Sequence, residues 1–239
     1  MIELGDIVRI NKLLSNLGIC SRKEAARYIE DGRVKVNGIL SIPGQWVEES
    51  DEILIDDEPV SAREKIYIAL NKPVGITCTA EKTVKGNIIE YINYPEYIFP
   101  VGRLDKLSQG LIILTNDGVL ANKILESENE HEKEYIVTLD REFDEEFIKG
   151  MSSGVEICGQ VTRSCKVFRM DNNTFKIILT QGLNKQIRRM SKVFGYNVVK
   201  LERVRIMNIT LDGIEYGKYR FISKNEVEEM LRLTEKNNL

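Results

Sequence analysis

The feature that most restricts the fold is a polar break at residues 58–65, because it separates two stretches with different apolar patterns. Before the break the apolar residues have helical spacing, and directly after it Ile66–Leu70 reads as a buried strand. A chain of 239 residues, 42% of them hydrophobic, is long enough for a small module and a larger domain. We therefore predict two domains, residues 1–62 and 63–239.

The first sixty residues carry the patterns of two short helices and a small sheet. One helix is predicted by i, i+3, i+4, i+7 spacing of four apolar residues, Ile10, Leu13, Leu14 and Leu17. Ser21 and Glu24 form a capping box, which predicts that a second helix follows and ends near Gly32. The turn Asn37-Gly38 after an alternating segment is typical of a type I′ hairpin, and a further strand is predicted at 52–56.

In the larger domain the predicted helices and strands do not alternate regularly. Strand-like runs rich in β-branched residues occur at 66–70, 111–115, 135–139, 161–168, 175–180, 198–201 and 205–211. Helical patterns occur at 119–126, 145–151, 183–194 and 224–233. Because helices do not follow strands in regular alternation, we predict an α+β fold with a mixed, mainly antiparallel sheet flanked by helices and loops.

The net charge of -3 conceals two basic segments. Between Arg9 and Lys35 seven basic residues stand against three acidic ones, and between Lys185 and Arg205 seven stand against one. Local positive charge of this kind indicates contact with a polyanion such as nucleic acid. Charged helices that merely solvate their outer faces would give the same pattern, so the charge alone does not decide.

Cysteine and histidine usage argues against a metal centre. The four cysteines form no C-x-x-C pair and His131 is the single histidine, so we predict no metal, no cofactor-bearing cluster and no disulfide framework. No apolar run approaches the roughly 20 residues that span a bilayer. The segment Met1–Asp6 lacks a basic region followed by apolar residues, and we expect a cytoplasmic protein without membrane segments.

Four short motifs could carry chemistry, although each has an ordinary structural interpretation. The loop 101–111 holds one carboxylate, Asp105, between two basic residues and two glycines, as an Asp in a turn also would. Lys72-Pro73-Val74-Gly75 reads as a rigid turn, and Lys133-Glu134-Tyr135 opens a strand whose tyrosine could belong to the core. The segment 181–190 predicts a basic helix capped by Asn184.

The order of these motifs and the residues in them resemble the RsuA/RluB/RluE/RluF family of bacterial rRNA pseudouridine synthases. Residues 9–38 resemble an S4 RNA-binding domain. Segments 129–135 and 201–208 are most similar to the RluF branch, which acts on large-subunit rRNA. The resemblance implies that Asp105 is the nucleophile, that Arg188 pairs with it, and that Tyr135 stacks on a flipped uracil. It implies no cofactor, and it suggests further RNA contacts at Arg9, Lys12, Arg22, Lys23, Arg27, Lys72, Arg103, Lys185 and Arg189.

Two other classes remain to be weighed. A non-catalytic S4-containing RNA-binding or ribosome-assembly protein would not need Asp105, Tyr135 and Arg188 together. An S4-linked methyltransferase would need a glycine-rich cofactor turn, and the Lys72-Pro73-Val74-Gly75 turn does not match one. The sequence leaves open whether Asp105 attacks the sugar, attacks the base or removes a sugar proton. We expect a monomer whose partner is a stem-loop of large-subunit rRNA.

Overall fold

The fold is described from a computed structural model of the chain, which defines residues 7–48, 50–81, 83–126 and 130–235. The segment Met1–Asp6, used above to argue against an export signal, lies outside these residues. Within the described ranges, no helix combines the length and the apolar character needed to cross a membrane.

Seven helices and seventeen strands are defined in these ranges. The helices are α1 Ile10–Asn16, α2 Arg22–Glu30, α3 Ile88–Ile92, α4 Gly118–Leu125, α5 Glu145–Ser152, α6 Gln186–Val193 and α7 Lys224–Glu235. The first strands are β1 Val8–Arg9, β2 Val34–Val36, β3 Ile39–Leu40, β4 Trp46–Val47, β5 Ile53–Ile55, β6 Glu58–Pro59, β7 Tyr67–Lys72, β8 Phe99–Val101 and β9 Gln109–Thr115. The remaining strands are β10 Lys133–Leu139, β11 Glu156–Ile157, β12 Gln160–Val161, β13 Lys166–Arg169, β14 Thr174–Leu179, β15 Val198–Ile206, β16 Ile209–Thr210 and β17 Tyr219–Phe221.

The first of two compact units comprises residues up to Ile66 together with 94–99 and 115–119. Its sheet has the order β3-β2-β5-β6, and α1 and α2 cover a core formed by Ile10, Leu13, Leu14, Ala25, Ile29, Val34 and Val36. The predicted capping box is present, since Ser21 Oγ accepts from the N–H of Glu24 and the Glu24 carboxylate accepts from the N–H of Ser21. The predicted hairpin turn is confirmed by positive φ at Asn37 and Gly38. The domain boundary at 62/63 stays a prediction.

The second unit comprises residues 67–93, 100–114 and the chain from Leu120. Its sheet has the order β13-β14-β10-β15-β9-β7-β17, with β16 paired to β15 and β8 to β9. The pairing of β15 with β9 is parallel, whereas β10 is antiparallel to both β14 and β15. The predicted mixed, mainly antiparallel sheet is therefore confirmed. The interior strand β9 is the most apolar, with Leu111, Ile112 and Leu114 fully buried.

Three local predictions were wrong. The run 161–168 is broken between β12 and β13, and the two strands predicted at 198–201 and 205–211 are mainly one strand, β15. Asn184 does not cap α6. The N-cap residue is Lys185, which has a left-handed backbone conformation with φ 51° and makes no side-chain capping hydrogen bond. The Asn184 side chain instead accepts a hydrogen bond from Arg189 Nη2 at 3.0 Å.

Candidate active site

The loop that carries Asp105 is held at both ends by paired strands, because β8 and β9 are neighbours in the sheet. Within the loop the N–H of Ser108 donates to the carbonyl of Asp105 at 2.9 Å. The N–H of Gly75 donates to the carbonyl of Lys106 at 2.8 Å, so the turn after β7 braces the loop from outside. In the described part of the chain, the partly exposed Asp105 carboxylate accepts no hydrogen bond and remains available for chemistry.

Arg188 projects from α6 and ties this loop to β15. Its Nη1 donates to the carbonyl of Val198 at 2.9 Å, and its Nη2 donates to the carbonyl of Leu107 at 3.1 Å and to Ser108 Oγ at 3.2 Å. Burial lowers the pKa of Arg188, and the charge of Asp105 acts in the opposite direction. The two groups are thus coupled by charge, but the predicted direct pair does not form, because the guanidinium is occupied by oxygen atoms of the loop and of β15.

Tyr135 lies in β10, in the interior of the sheet. It is paired with Ile177 of β14 and with Arg203 of β15, next to a register shift between Glu134 and Tyr135. Only 9% of its surface is exposed. A tyrosine in this position is fixed on both sides by backbone pairing, so its ring has a defined place rather than that of a mobile surface side chain.

These side chains meet at one cavity of about 270 Å³. The residues predicted to act in catalysis, Asp105, Tyr135 and Arg188, all line it, and so do Arg103 and Lys185. The other lining residues include Ser108, Leu179, Gln181, Leu183, Asn184, Ile187 and Leu201. Loop, strand and helix segments that are distant in the sequence therefore converge, and the lining combines a few aliphatic side chains with a larger number of polar and charged ones.

One of the predicted RNA contacts, Lys72, does not fit this geometry. Lys72 is fully buried, and its Nζ donates to the carbonyls of Pro73 at 2.8 Å and Ile76 at 3.0 Å, so it holds its own turn rather than reaching the surface. Burial lowers the pKa of Lys72, while Asp105 opposes the shift and so lies within its electrostatic range. Arg189 is partly exposed outside the cavity lining, its guanidinium contacts Asn184 and Cys158, and its contact with RNA stays a prediction.

The basic residues predicted to bind RNA in the first unit are exposed. Arg22, Lys23 and Arg27 lie on the outer face of α2, and Lys12 is exposed on α1. Arg9 stacks on Trp46, with its Cζ 4.8 Å from the ring centre, and its Nη1 donates to the carbonyl of Gly44. Their exposure is compatible with contact to RNA, and the contact itself stays a prediction.

Several site residues were missed or given no role. Ser108 was quoted within a motif, yet its hydroxyl accepts from Arg188. Leu201 was assigned only to a strand, and strand alternation could have placed it on the side of Tyr135. The burial of Arg203, which is 3% exposed, has no sequence signal, because an arginine in a strand is ordinarily at the surface. No group of three metal-ligating side chains occurs in the described ranges.

Comparison with known proteins identifies the family of the chain. The model of a family described as RNA pseudouridylate synthase matches residues 66–192, and the S4 domain model matches residues 8–53. The chain is 51% identical over 231 residues to the dual-specificity RNA pseudouridine synthase RluF of Escherichia coli, covering 95% of this chain and 80% of that protein. It is 30% identical over 236 residues to the ribosomal large subunit pseudouridine synthase B of Bacillus subtilis, covering 95% of this chain and 97% of that protein.

A solved structure supports the same conclusion at the level of the fold. The crystal structure of a pseudouridylate synthase matches with a TM-score of 0.70 at 29% sequence identity, covering 93% of this chain and 99% of that one. The predicted family and fold class are thereby confirmed. With an S4 domain followed by a catalytic domain of this kind, the chain belongs to the RNA pseudouridylate synthase family.

Proposed function

We propose that this pseudouridine synthase converts a uridine of large-subunit ribosomal RNA to pseudouridine, with Asp105 as the group that acts on the nucleotide. The observation that carries the proposal is the convergence of Asp105, Tyr135 and Arg188 on one cavity of about 270 Å³. The names of the relatives from E. coli and B. subtilis, which refer to RNA and to the large subunit respectively, support this choice of substrate.

The reaction is an isomerisation that is balanced without an oxidant or a reductant. The bond between C1′ and N1 breaks, a bond between C1′ and C5 forms, a proton leaves C5 and N1 takes up a proton. What the protein must supply is an ionised carboxylate near C1′ and a pocket that retains the detached base. Attack on the sugar, attack on the base and removal of a sugar proton all require the same ionised Asp105.

Each of the other two residues has a role that fits its position. The positive charge of Arg188 lies within electrostatic range of the Asp105 carboxylate, and its hydrogen bonds to Leu107 and Ser108 hold the loop that carries Asp105. The Tyr135 ring, fixed within the sheet, can stack on a uracil that has been extruded from its helix. Arg103, exposed at the mouth of the cavity, is placed to contact the RNA from which the base has left.

The S4 domain fits a role in positioning the RNA. Its exposed cations on α2 offer phosphate contacts that carry no sequence information and fix the orientation of the substrate. Action as a monomer in the cytoplasm on a stem-loop is part of the same proposal. The competing function, RNA binding without catalysis, gives no reason for a carboxylate free of hydrogen bonds at the cavity wall.

Asp105→Asn tests the proposal directly. We expect it to bind rRNA as the parent does and to release no detectable tritium from rRNA labelled at uracil C5, because the amide keeps the size of the side chain but has no nucleophilic oxygen anion. Asp212→Asn, at an exposed position that does not line the cavity, is the matched control and should work as the parent does. If Asp105→Asn released tritium at a rate within about tenfold of the parent, the carboxylate would lower the activation free energy by only about 1.4 kcal/mol. That is too little for a nucleophile.

A further inference from the structure

A second cavity of about 410 Å³ also has Tyr135 in its lining. The two cavities share six residues, Gly102, Arg103, Tyr135, Gln181, Gly182 and Leu183. Beyond this common wall the second cavity is lined by residues that the proposed reaction does not use, among them Lys133, Arg163 and Arg203. It is therefore continuous with the active site, but no step described above requires it.

The charged residues that line this cavity are all basic among the described residues, although one of them, Arg163, also pairs with Glu130 outside the lining at 3.5 Å. Lys133, Arg163, Arg203 and the shared Arg103 line it, and no described lining residue is an aspartate or a glutamate. A cavity that gathers four cations without a carboxylate attracts an anion and repels a cation. The apolar residues Val101, Ile124, Leu125 and Ile206 complete the lining, so part of the cavity has low polarity and strengthens the charge interactions within it.

The hydrogen bonds of the two buried cations leave their charge uncancelled. Arg203 is 3% exposed, its Nε donates to the carbonyl of Leu111 at 2.7 Å, and its Nη2 has no acceptor in the described structure. Lys133 donates to the carbonyl of His131 at 3.2 Å. Burial and, to a smaller extent, the charge of Arg203 together lower the pKa of Lys133 to about 8. A buried guanidinium N–H without an acceptor is costly, which indicates that an anionic acceptor completes this site.

We propose that the second cavity binds a backbone phosphate of the substrate RNA, next to the flipped nucleotide, through Lys133, Arg163 and Arg203. This inference rests on the proposed function, since an RNA strand whose base enters the first cavity must run along the wall that both cavities share. A phosphodiester offers two charged oxygens to three cationic donors, which is the pairing that guanidinium and ammonium groups favour. The phosphate would fix the strand in the second cavity while the base occupies the first.

The test uses the full-length protein and an unmodified 23S rRNA transcript. Lys133→Gln keeps a donor for the carbonyl of His131, and Arg163→Gln changes a residue whose side chain is 39% exposed, so it does not disturb the core. Lys176→Gln is the matched control, because Lys176 lies on the same sheet, pairs with Glu134 at 3.7 Å and lines neither cavity. Single-turnover tritium release and equilibrium binding are both measured against RNA concentration at several KCl concentrations.

We expect each cavity variant to raise the half-saturating RNA concentration about tenfold and to make the slope of log affinity against log [KCl] shallower by about 0.7 to 0.9, as loss of one phosphate contact does. The rate at saturating RNA should stay within about threefold of the parent, and Lys176→Gln should match the parent throughout. Unchanged salt slopes in both cavity variants, or a loss confined to the saturating rate, would overturn the proposal.

Inorganic phosphate is the other anion that the second cavity could bind. A separate measurement distinguishes it from a backbone phosphate of the RNA. Thermal melting of parent and Lys133→Gln is measured in inorganic phosphate and in KCl at matched ionic strength. A phosphate-specific rise in the parent alone, together with unchanged RNA salt slopes, would assign the cavity to a free anion and overturn the RNA contact. If the cavity variants change the salt slope of RNA binding as expected but the parent releases no tritium, the proposed function fails while the phosphate site stands.

Discussion

The position of Arg188 predicts a variant that stays folded but reacts slowly. Arg188→Ala removes hydrogen bonds to the carbonyls of Val198 and Leu107 and to Ser108 Oγ. Hydrogen bonds from a charged donor contribute about 1.5 to 3 kcal/mol each, but Leu107 is 68% exposed, so its carbonyl regains water when the guanidinium is lost. Removal of the guanidinium also removes the desolvation penalty of its burial, the same burial that lowers the pKa of Arg188. This offsets a further part of the lost unfolding free energy.

We therefore expect Arg188→Ala to lose about 2 kcal/mol of unfolding free energy, or about 4 to 8 °C in Tm for a domain of this size. The effect on turnover should be larger, because the positive charge near Asp105 and the contacts that fix its loop are lost together. We expect a decrease of about 100- to 1000-fold in the single-turnover rate, comparable to loss of one preorganised donor in other enzymes. Arg188→Lys keeps the charge without the planar fork and should be intermediate.

The assay is tritium release at saturating rRNA, with urea unfolding and equilibrium RNA binding measured on the same preparations. Lys192→Ala is the matched control, since Lys192 is an exposed cation on the same helix and does not line the cavity. It should keep the parent rate. An Arg188→Ala protein that binds RNA and turns over within threefold of the parent would refute the coupling of Arg188 to Asp105.

Three further predictions follow from particular residues. Gly110→Ala should lose about 3 kcal/mol or more in urea unfolding, because a Cβ there would lie 2.3 Å from the backbone oxygen of Arg203 at a φ of +101°; unfolding within 1 kcal/mol of the parent would contradict it. Changing Arg22, Lys23 and Arg27 together to Gln should make the salt slope of RNA binding shallower by about 2 without changing the saturating rate, and an unchanged slope would remove α2 from the interface. The pKa of Lys133 falls from 10.5 to about 8 on folding, so between these values the unfolded state binds more protons than the folded state. The parent should therefore gain unfolding free energy relative to Lys133→Gln as the pH rises from 8 to 10. Urea unfolding at pH 7 and 9.5 checks the sign of this change.

The sequence predicted elements whose signals are local. The capping box before α2 and the Asn37-Gly38 turn specify their own backbone geometry, and both were confirmed. It predicted β15 poorly, because Lys200, Glu202 and Arg205 interrupt the apolar pattern of a strand whose pairing partners come from distant parts of the chain. The five-residue helix α3, capped by Asn87, is too short for apolar periodicity to reveal.

The predicted residues of the candidate site came from motif resemblance, and their convergence required the fold. No local pattern links Asp105, Tyr135 and Arg188, because strand order rather than sequence distance brings β9, β10 and α6 together. The predicted pairing of Arg188 with Asp105 was wrong in its geometry for a related reason. A sequence can indicate that a cation and a carboxylate occur in one site. It does not reveal that the guanidinium donates its hydrogen bonds to the backbone carbonyls of Leu107 and Val198 instead.

This choice of partners has a consequence for how the site works. Lys72, Lys133, Arg188 and Arg203 donate to carbonyl or hydroxyl oxygens, and none donates to a carboxylate in the described ranges. Carbonyl partners accept from most of these N–H groups and leave the positive charge in place, whereas carboxylate partners would cancel it; in the described ranges Arg188 Nε and Arg203 Nη2 have no acceptor. Lys72 and Arg188 interact electrostatically with Asp105, and the surplus of positive charge also attracts the phosphates that bring the uridine to that carboxylate. Carboxylates in place of these carbonyls would stabilise the same side chains but weaken both effects.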